Sequence, residues 1–239
     1  MLTIFAVPKA FRGHTAVIQR NAIESWTHLR TKPEILLLGN DEGTAEAAAE
    51  FGLQHVAEVA RTSLGTPLVS DLFAKARMLA SYNVLCYVNS DIILMNDLPD
   101  AVSHVVAHRN AFLMSGRRWN LDIRRPLDFS GKWQDELRAT VAASGELEPP
   151  NGMDYFVFPR FLFSEIPPFA IGRPAWDNWL IYHARLGRLP VIDATKGVLV
   201  VHQKHDYSHV PMNRGRAWEG PEADENRRLA GNPKFVFTL

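Results

Sequence analysis

The chain has 239 residues, 46% of them apolar and 22% charged, enough to bury a sizeable core within one large domain spanning 1–239. Lys plus Arg and Asp plus Glu both number 26, so there is no global basic field to draw nucleic acid or an anionic membrane, and an anionic ligand has to be held by local groups. No stretch approaches the ~18 apolar residues of a membrane span, no basic leader precedes the amino-terminal apolar run, and the lone Cys86 excludes an internal disulfide. The expectation is a cytoplasmic protein without a transmembrane segment.

In chain order, 2–7 reads as a strand, 15–29 as a helix, and 34–39 as a second strand after the break at Pro33. Residues 44–51 form an Ala-rich helical stretch, 55–59 a short strand, and 71–81 a helix with apolar spacing at Leu72, Phe73, Ala76, Leu79 and Ala80. The apolar run 84–88 follows as a strand. Short strands separated by helices predict an α/β fold, Rossmann-like, with a mostly parallel sheet and helices on both faces. The second half is less regular: strands over 111–114 and 155–158, helices over 133–143 and 176–186, then strand candidates at 191–192 and 198–201. From Pro211 the chain is rich in Arg, Glu, Gly and Asn and reads as a surface tail or lid over 211–239.

The run 84–88 ends in Asn89-Ser90-Asp91 and is followed by apolar Ile92-Ile93-Leu94-Met95. A buried strand that delivers a carboxylate at its carboxyl end puts charge where an open α/β sheet keeps its ligand crevice. Unpaired burial of that carboxylate is costly, so Asp91 calls for a cation, a metal or several backbone donors. Asn and Asp also suit a plain strand-end turn, and that alternative stays open here.

The order of a Rossmann-like half, Asn89-Ser90-Asp91, Gly152-Met153-Asp154-Tyr155-Phe156, Trp176-Asp177-Asn178-Trp179 opening a helix, and His202-Gln203-Lys204-His205-Asp206 through His209 resembles glycosyltransferases of the GT-A fold, similar to family 2. That resemblance implies a nucleotide-sugar donor, a carbohydrate or other hydroxyl acceptor, and Mn²⁺ or Mg²⁺. It implies a nucleotide-binding half over 1–110 and an acceptor and metal half over 111–210. The Asp-x-Asp motif of the family is Asn89-Ser90-Asp91 here, with Asn in the first position, and Asp91 would hold the metal and the donor diphosphate. His202 or His205 would add a late metal ligand, with Asp206 and His209 in the same segment. Asp177 would be the base of an inverting transfer, and Trp176 and Trp179 would offer apolar faces to sugar rings. Asp154 and Asn178 would meet substrate hydroxyls. Pro8 in the loop after the first strand, Asp41 after the second and Lys75 on the helix before the Asp91 strand would contact the nucleotide, and Arg117 or Arg118 a phosphate or anionic acceptor.

Each of these residues also has a plain structural reading: an Asp in a first helical turn favours the helix dipole, Trp residues fill cores, and a lysine on a helix faces water. Two other functions compete. A nucleotidyltransferase acting on sugar phosphates shares the Rossmann-like half, but Arg12-Gly13-His14 is a poor substitute for its Gly-rich basic loop. A non-catalytic metal-binding module would use His202, His205 and His209 for a transition metal.

Overall fold

The computed structural model describes residues 1–205 and 218–231. In chain order the elements are β1 (Thr3–Ala6), α1 (Gly13–Thr27), β2 (Glu34–Leu38), α2 (Thr44–Phe51), β3 (Gln54–Val56), α3 (Val69–Leu79), β4 (Val84–Val88), β5 (Ile92–Ile93), α4 (Asp97–His108), β6 (Leu113–Ser115), β7 (Trp119–Leu121), α5 (Trp133–Ser144), β8 (Glu146–Leu147), β9 (Tyr155–Pro159), α6 (Trp176–Leu186), β10 (Val191–Asp193), β11 (Val201–Gln203) and α7 (Pro221–Ala230). A seven-stranded sheet runs β10-β6-β9-β4-β1-β2-β3 and a four-stranded sheet runs β5-β11-β7-β8.

Strand alternation explains how the large sheet is covered on both faces. Ile4, Ala6, Ile35, Leu37, Cys86 and Val88 point into a core shared with Ala22, Ile23 and Trp26 of α1. Their neighbours Phe5, Leu36, Leu38, Leu85 and Tyr87 point the other way, against Leu72, Phe73 and Ala76 of α3 and Leu180 and Ile181 of α6. Cys86 is fully buried, and burial pushes its thiol pKa up, so it is an inert core residue.

The sheet is parallel across β3-β2-β1-β4 and β6-β10, while β9 is antiparallel to both β4 and β6. β9 is continuous and apolar because it is buried between two neighbours on opposite edges. One expectation needs correction. The last strand is Val201–Gln203 rather than 198–201: Val198 and Val200 are buried but only β11 pairs with β5 and β7. The apolar stretch after Asp91 contributes a two-residue strand to the second sheet, and α4, which the apolar run and Pro99 obscured in the sequence, follows it.

Beyond residue 217, α7 has an inner face, with Ala223 and Asn226 buried; Asn226 accepts from the Ala170 N–H and donates to the Ala170 and Pro174 carbonyls. Residues 206–217 and 232–239 lie outside the described residues. No helix among the described residues is long and apolar enough to cross a membrane.

A buried polar bridge ties the two sheets together beneath the crevice. Asn21 of α1 donates to Gln203 Oε1 (2.9 Å) and accepts from the Leu127 N–H (2.9 Å), while the Gln203 amide donates to the Ile18 carbonyl (2.7 Å) and the Asp91 carbonyl (3.1 Å). Asn21→Ala leaves the Leu127 N–H without its acceptor and Gln203 without its donor. It should lower stability by about 1–3 kcal/mol, read as a fall in melting temperature; an unchanged melting point would show that water replaces the amide.

Candidate active site

Strand order reverses between β1 and β4, with β2 on one side of β1 and β4 on the other. The carboxyl ends of two such strands splay apart and leave a crevice at the switch point. A pocket of about 780 Å³ opens there. The loop after β1 contributes Val7, Pro8 and Lys9, the loop after β2 contributes Asp41, and the turn after β4 contributes Asn89, Ser90 and Asp91. From the second half come Arg118, Asp154, Trp176, Asp177, Asn178, His202 and His205.

The second sheet fixes one corner of the pocket. β5 starts one residue after Asp91 and pairs with β11 in the register His202↔Ile92, so a single strand pairing sets the separation of the carboxylate and the imidazole. On its other side β11 pairs with β7 in the register His202↔Asn120, and Asn120 Oδ1 meets His202 Nδ1 at 2.8 Å. An amide oxygen can only accept, so His202 carries its proton on Nδ1 and turns an Nε2 lone pair towards Asp91, 3.8 Å away. Asn120 is held in turn by its hydrogen bond to Glu148. His205 Nε2 lies 2.9 Å from Asp91 Oδ2.

Ligand-capable atoms of Asp91, His202 and His205 thus lie within 4.8 Å of one another. Burial alone would raise the Asp91 pKa, but the His205 hydrogen bond and the charges of His202 and Lys9 outweigh it and hold the carboxyl below its usual range. Burial lowers the His202 pKa against the opposing pull of Asp91, a shift towards the neutral form in which an imidazole ligates a metal. Asp91 Oδ1 is buried with no hydrogen-bond partner among the described residues. One carboxylate and two imidazoles around an unsatisfied oxygen fit a divalent cation, and the nitrogen donors favour Mn²⁺ over Mg²⁺. His209 and Asp206, expected in the same cluster, lie outside the described residues.

A second group of polar side chains gathers where the carboxyl end of β4 meets the start of β9. Arg118 pairs with Asp154, which also accepts from the Asn89 side chain at 2.7 Å, while Asn89 Oδ1 accepts from the Tyr87 hydroxyl at 2.6 Å. Asn89 is therefore engaged inside the protein on both ends of its amide, and Asp154 is the hub of an ion pair and a hydrogen bond. Ser90 lines the pocket with its hydroxyl buried and unpartnered. Asp177 sits in the first turn of α6, whose entry passes through Ala175 at φ +82°, a left-handed conformation unusual for alanine. Burial and the charge of Asp154 push Asp177 up to about 6 against the favourable Asn178 N–H, which donates to its Oδ1 at 2.8 Å.

Three expected positions fall elsewhere. Lys75 is outside the pocket, 3.6 Å from Asp71 one turn away on α3. Arg117 is turned aside, its guanidinium donating to the Glu148 carbonyl, and its neighbour Arg118 faces the pocket instead: consecutive residues point to opposite sides. Trp179 is absent from the lining and packs on Phe169 and His183, whereas Trp176 lines the pocket while its ring packs edge-on to Tyr87 and Phe156. Lys9 lies in the loop Pro8-Lys9-Ala10-Phe11, which the resemblance gives to the nucleotide; residues not singled out in the sequence are Arg61, which pairs with Asp41 at 2.8 Å, and Arg173, which Glu222 of α7 holds at 2.8 Å while also accepting from Thr62 and Thr66. Each depends on a contact distant in sequence and left no local pattern.

The architecture is that of the GT-A glycosyltransferases. The chain is similar to glucosyl-3-phosphoglycerate synthase from Mycobacterium tuberculosis, solved with Mn²⁺, UDP and phosphoglyceric acid, at a TM-score of 0.51 and 16% identity, covering 87% of this chain and 72% of that one. It is likewise similar to a mannosyltransferase from Pyrobaculum calidifontis solved with GDP-mannose and Mn²⁺, at a TM-score of 0.54 and 18% identity, covering 91% of this chain and 59% of that one. No protein-family model matches the sequence, and no curated protein does.

Asn120→Ala removes the group that fixes the His202 tautomer without touching Asp91 or His205. Mn²⁺ affinity by titration calorimetry should fall about 10-fold or more; an unchanged affinity would show that His202 is no ligand. Asp177 generates a separate expectation. Its folded pKa lies above the unfolded value, so its contribution to stability is present below about pH 4 and is lost as pH rises through about 6. Asp177→Asn should therefore match the wild type in melting temperature near pH 4 and exceed it at pH 8, by on the order of 1–3 kcal/mol. A variant less stable at pH 8 would mean that the helix dipole dominates.

Proposed function

We propose that this protein is a divalent-metal-dependent glycosyltransferase that moves a sugar from a nucleoside diphosphate sugar to an acceptor hydroxyl with inversion. The observation that carries the reading is the shared pocket: a carboxylate held ionised beside two imidazoles, and a second carboxylate pushed towards neutral pH, open into one crevice at the switch point. The neighbouring structures, solved with nucleotides or nucleotide sugars and Mn²⁺, support it.

Asp91, His202 and His205 would hold the metal, which when bound neutralises charge gathering on the departing diphosphate. The loops carrying Pro8 and Asp41 would receive the nucleoside in the half 1–110, and 111–210 would supply the acceptor side. Asp177 takes the proton of the acceptor hydroxyl. As that oxygen bonds to the anomeric carbon, the bond from the carbon to the diphosphate oxygen breaks and the nucleoside diphosphate leaves with the electron pair. The Asn178 N–H orients the carboxylate, and Trp176, rigid against Tyr87, walls the sugar side. Because the base works only when ionised, the rate should rise with pH through about 6.

The test is a screen of UDP- and GDP-sugars with Mn²⁺ against hydroxyl acceptors, followed by Asp177→Asn. That variant should keep donor affinity and lose roughly 10²- to 10⁴-fold in turnover, and the product should carry the anomeric configuration opposite to the donor. Wild-type turnover in the variant, or a retained configuration by NMR, would remove Asp177 from the role of base.

A further inference from the structure

Four cationic side chains line the pocket among the described residues, and three are already matched: Arg61 by Asp41, Arg118 by Asp154 and Arg173 by Glu222. Lys9 is the fourth. Its hydrogen bonds run through the backbone alone, its N–H to Gln19 Oε1 (2.7 Å) and its carbonyl from Gln19 Nε2 (2.8 Å), and its ammonium makes no hydrogen bond or ion pair among the described residues. Gln19 is buried, so the β1 loop is clamped at the point where Lys9 lines the crevice.

A desolvated ammonium without a partner is costly unless an anion arrives. Two protein anions reach Lys9 with their charge, Asp91 first and then Asp154, and Arg118 already holds Asp154, which leaves Asp91. Were Lys9 there to neutralise Asp91, the buried and unpartnered Asp91 Oδ1 would be its acceptor; yet that oxygen stays unpaired. The two charges face the same space without closing on each other, which is the arrangement a bridging ligand requires. The anion must carry more than one charge, because a divalent cation beside one carboxylate already satisfies a singly charged group.

We propose that Lys9 binds a diphosphate oxygen of the donor nucleotide, on the β1 side of the crevice, opposite the Asp91 cluster. The inference rests on the nucleotide-sugar reading above and adds a residue to it. On cleavage the leaving diphosphate gains a negative charge, so a fixed ammonium stabilises the departing group more than the intact donor. Lys9 is then a second, metal-independent hold on the leaving group.

Binding measurements on Lys9→Met and Lys9→Arg test this without activity. The probes are UDP and GDP with Mn²⁺, the matching nucleosides, Mn²⁺ alone and inorganic diphosphate. In Lys9→Met, affinity for the preferred nucleoside diphosphate and for inorganic diphosphate should fall about 10- to 100-fold, the nucleoside should change by less than about twofold, and Mn²⁺ alone should bind as well or better because a repelling charge is gone. Lys9→Arg should recover most of the loss. A folded Lys9→Met with undiminished diphosphate affinity, or one that loses nucleoside and diphosphate in parallel, would overturn the assignment and leave the transferase reading standing. A wild type that binds neither UDP nor GDP, while still binding Mn²⁺, would overturn the transferase reading itself and the role of Lys9 with it.

Discussion

The structure turns on the cost of placing the Asp91 carboxylate inside the protein. β4 is a central strand with neighbours on both edges and helices over both faces, so the charge at its carboxyl end is largely desolvated, its side chain only 14% exposed and open to solvent through the crevice. The surroundings are organised to meet that cost. The Asp91 carbonyl receives the Gln203 side chain, one carboxylate oxygen receives His205, and the other is left unsatisfied in the crevice. A carboxylate that folding alone had to stabilise would have both oxygens satisfied. Leaving one bare costs stability and keeps the site receptive to a cation.

The small second sheet follows from the same requirement. Its strands are two or three residues long, too short to contribute much core, yet β11 lies between β5 and β7 so that His202 meets Ile92 on one side and Asn120 on the other. The first pairing brings the imidazole to the Asp91 turn and the second sets its tautomer. Strand register is a stiff constraint, since a slip by one residue would turn His202 away and present Val201 or Gln203 instead. Behind the sheet, Ile93, Leu121, Trp133 and Leu137 form a separate apolar cluster with α5 that anchors it.

How much of this could be read from sequence depends on how local the cause is. β4, α2 and α6 begin and end where the apolar period, Pro174 and Gly187 indicate, because those boundaries are set within a few residues. Asp91 is legible because a carboxylate follows a buried apolar strand, whereas His202 and His205 are marked by the resemblance alone. The short strands β5, β7 and β8 carry no period to detect, and β11 is displaced towards His202 because its partners, not its own valines, choose the paired residues. Arg118 and not Arg117 faces the crevice for a reason one residue wide, the alternation of side chains leading into β7. Lys9 falls in the loop that the resemblance gives to the nucleotide, but the Gln19 side chain that clamps the backbone of that loop lies ten residues on and leaves no local pattern.

Two of the carboxylates that line the crevice, Asp91 and Asp177, have surroundings that drive them apart. Burial raises both, but Asp91 has two imidazoles and Lys9 within reach, whereas Asp177 has the negative charge of Asp154 nearby and mainly the Asn178 N–H in its favour. Arg118 could have equalised them; it is committed to Asp154, and its influence on Asp177 is weak. The outcome is one carboxylate shifted towards its ionised form and another raised to about 6. A metal ligand has to be the first kind, since a proton competes with the cation for the same oxygen. A base has to be the second, because an acid that never holds a proton gains little by accepting one. Asn89 in place of a further aspartate fits this division: a third carboxylate beside Asp154 would face it without a cation to spare, and the amide instead donates to Asp154 while accepting from Tyr87.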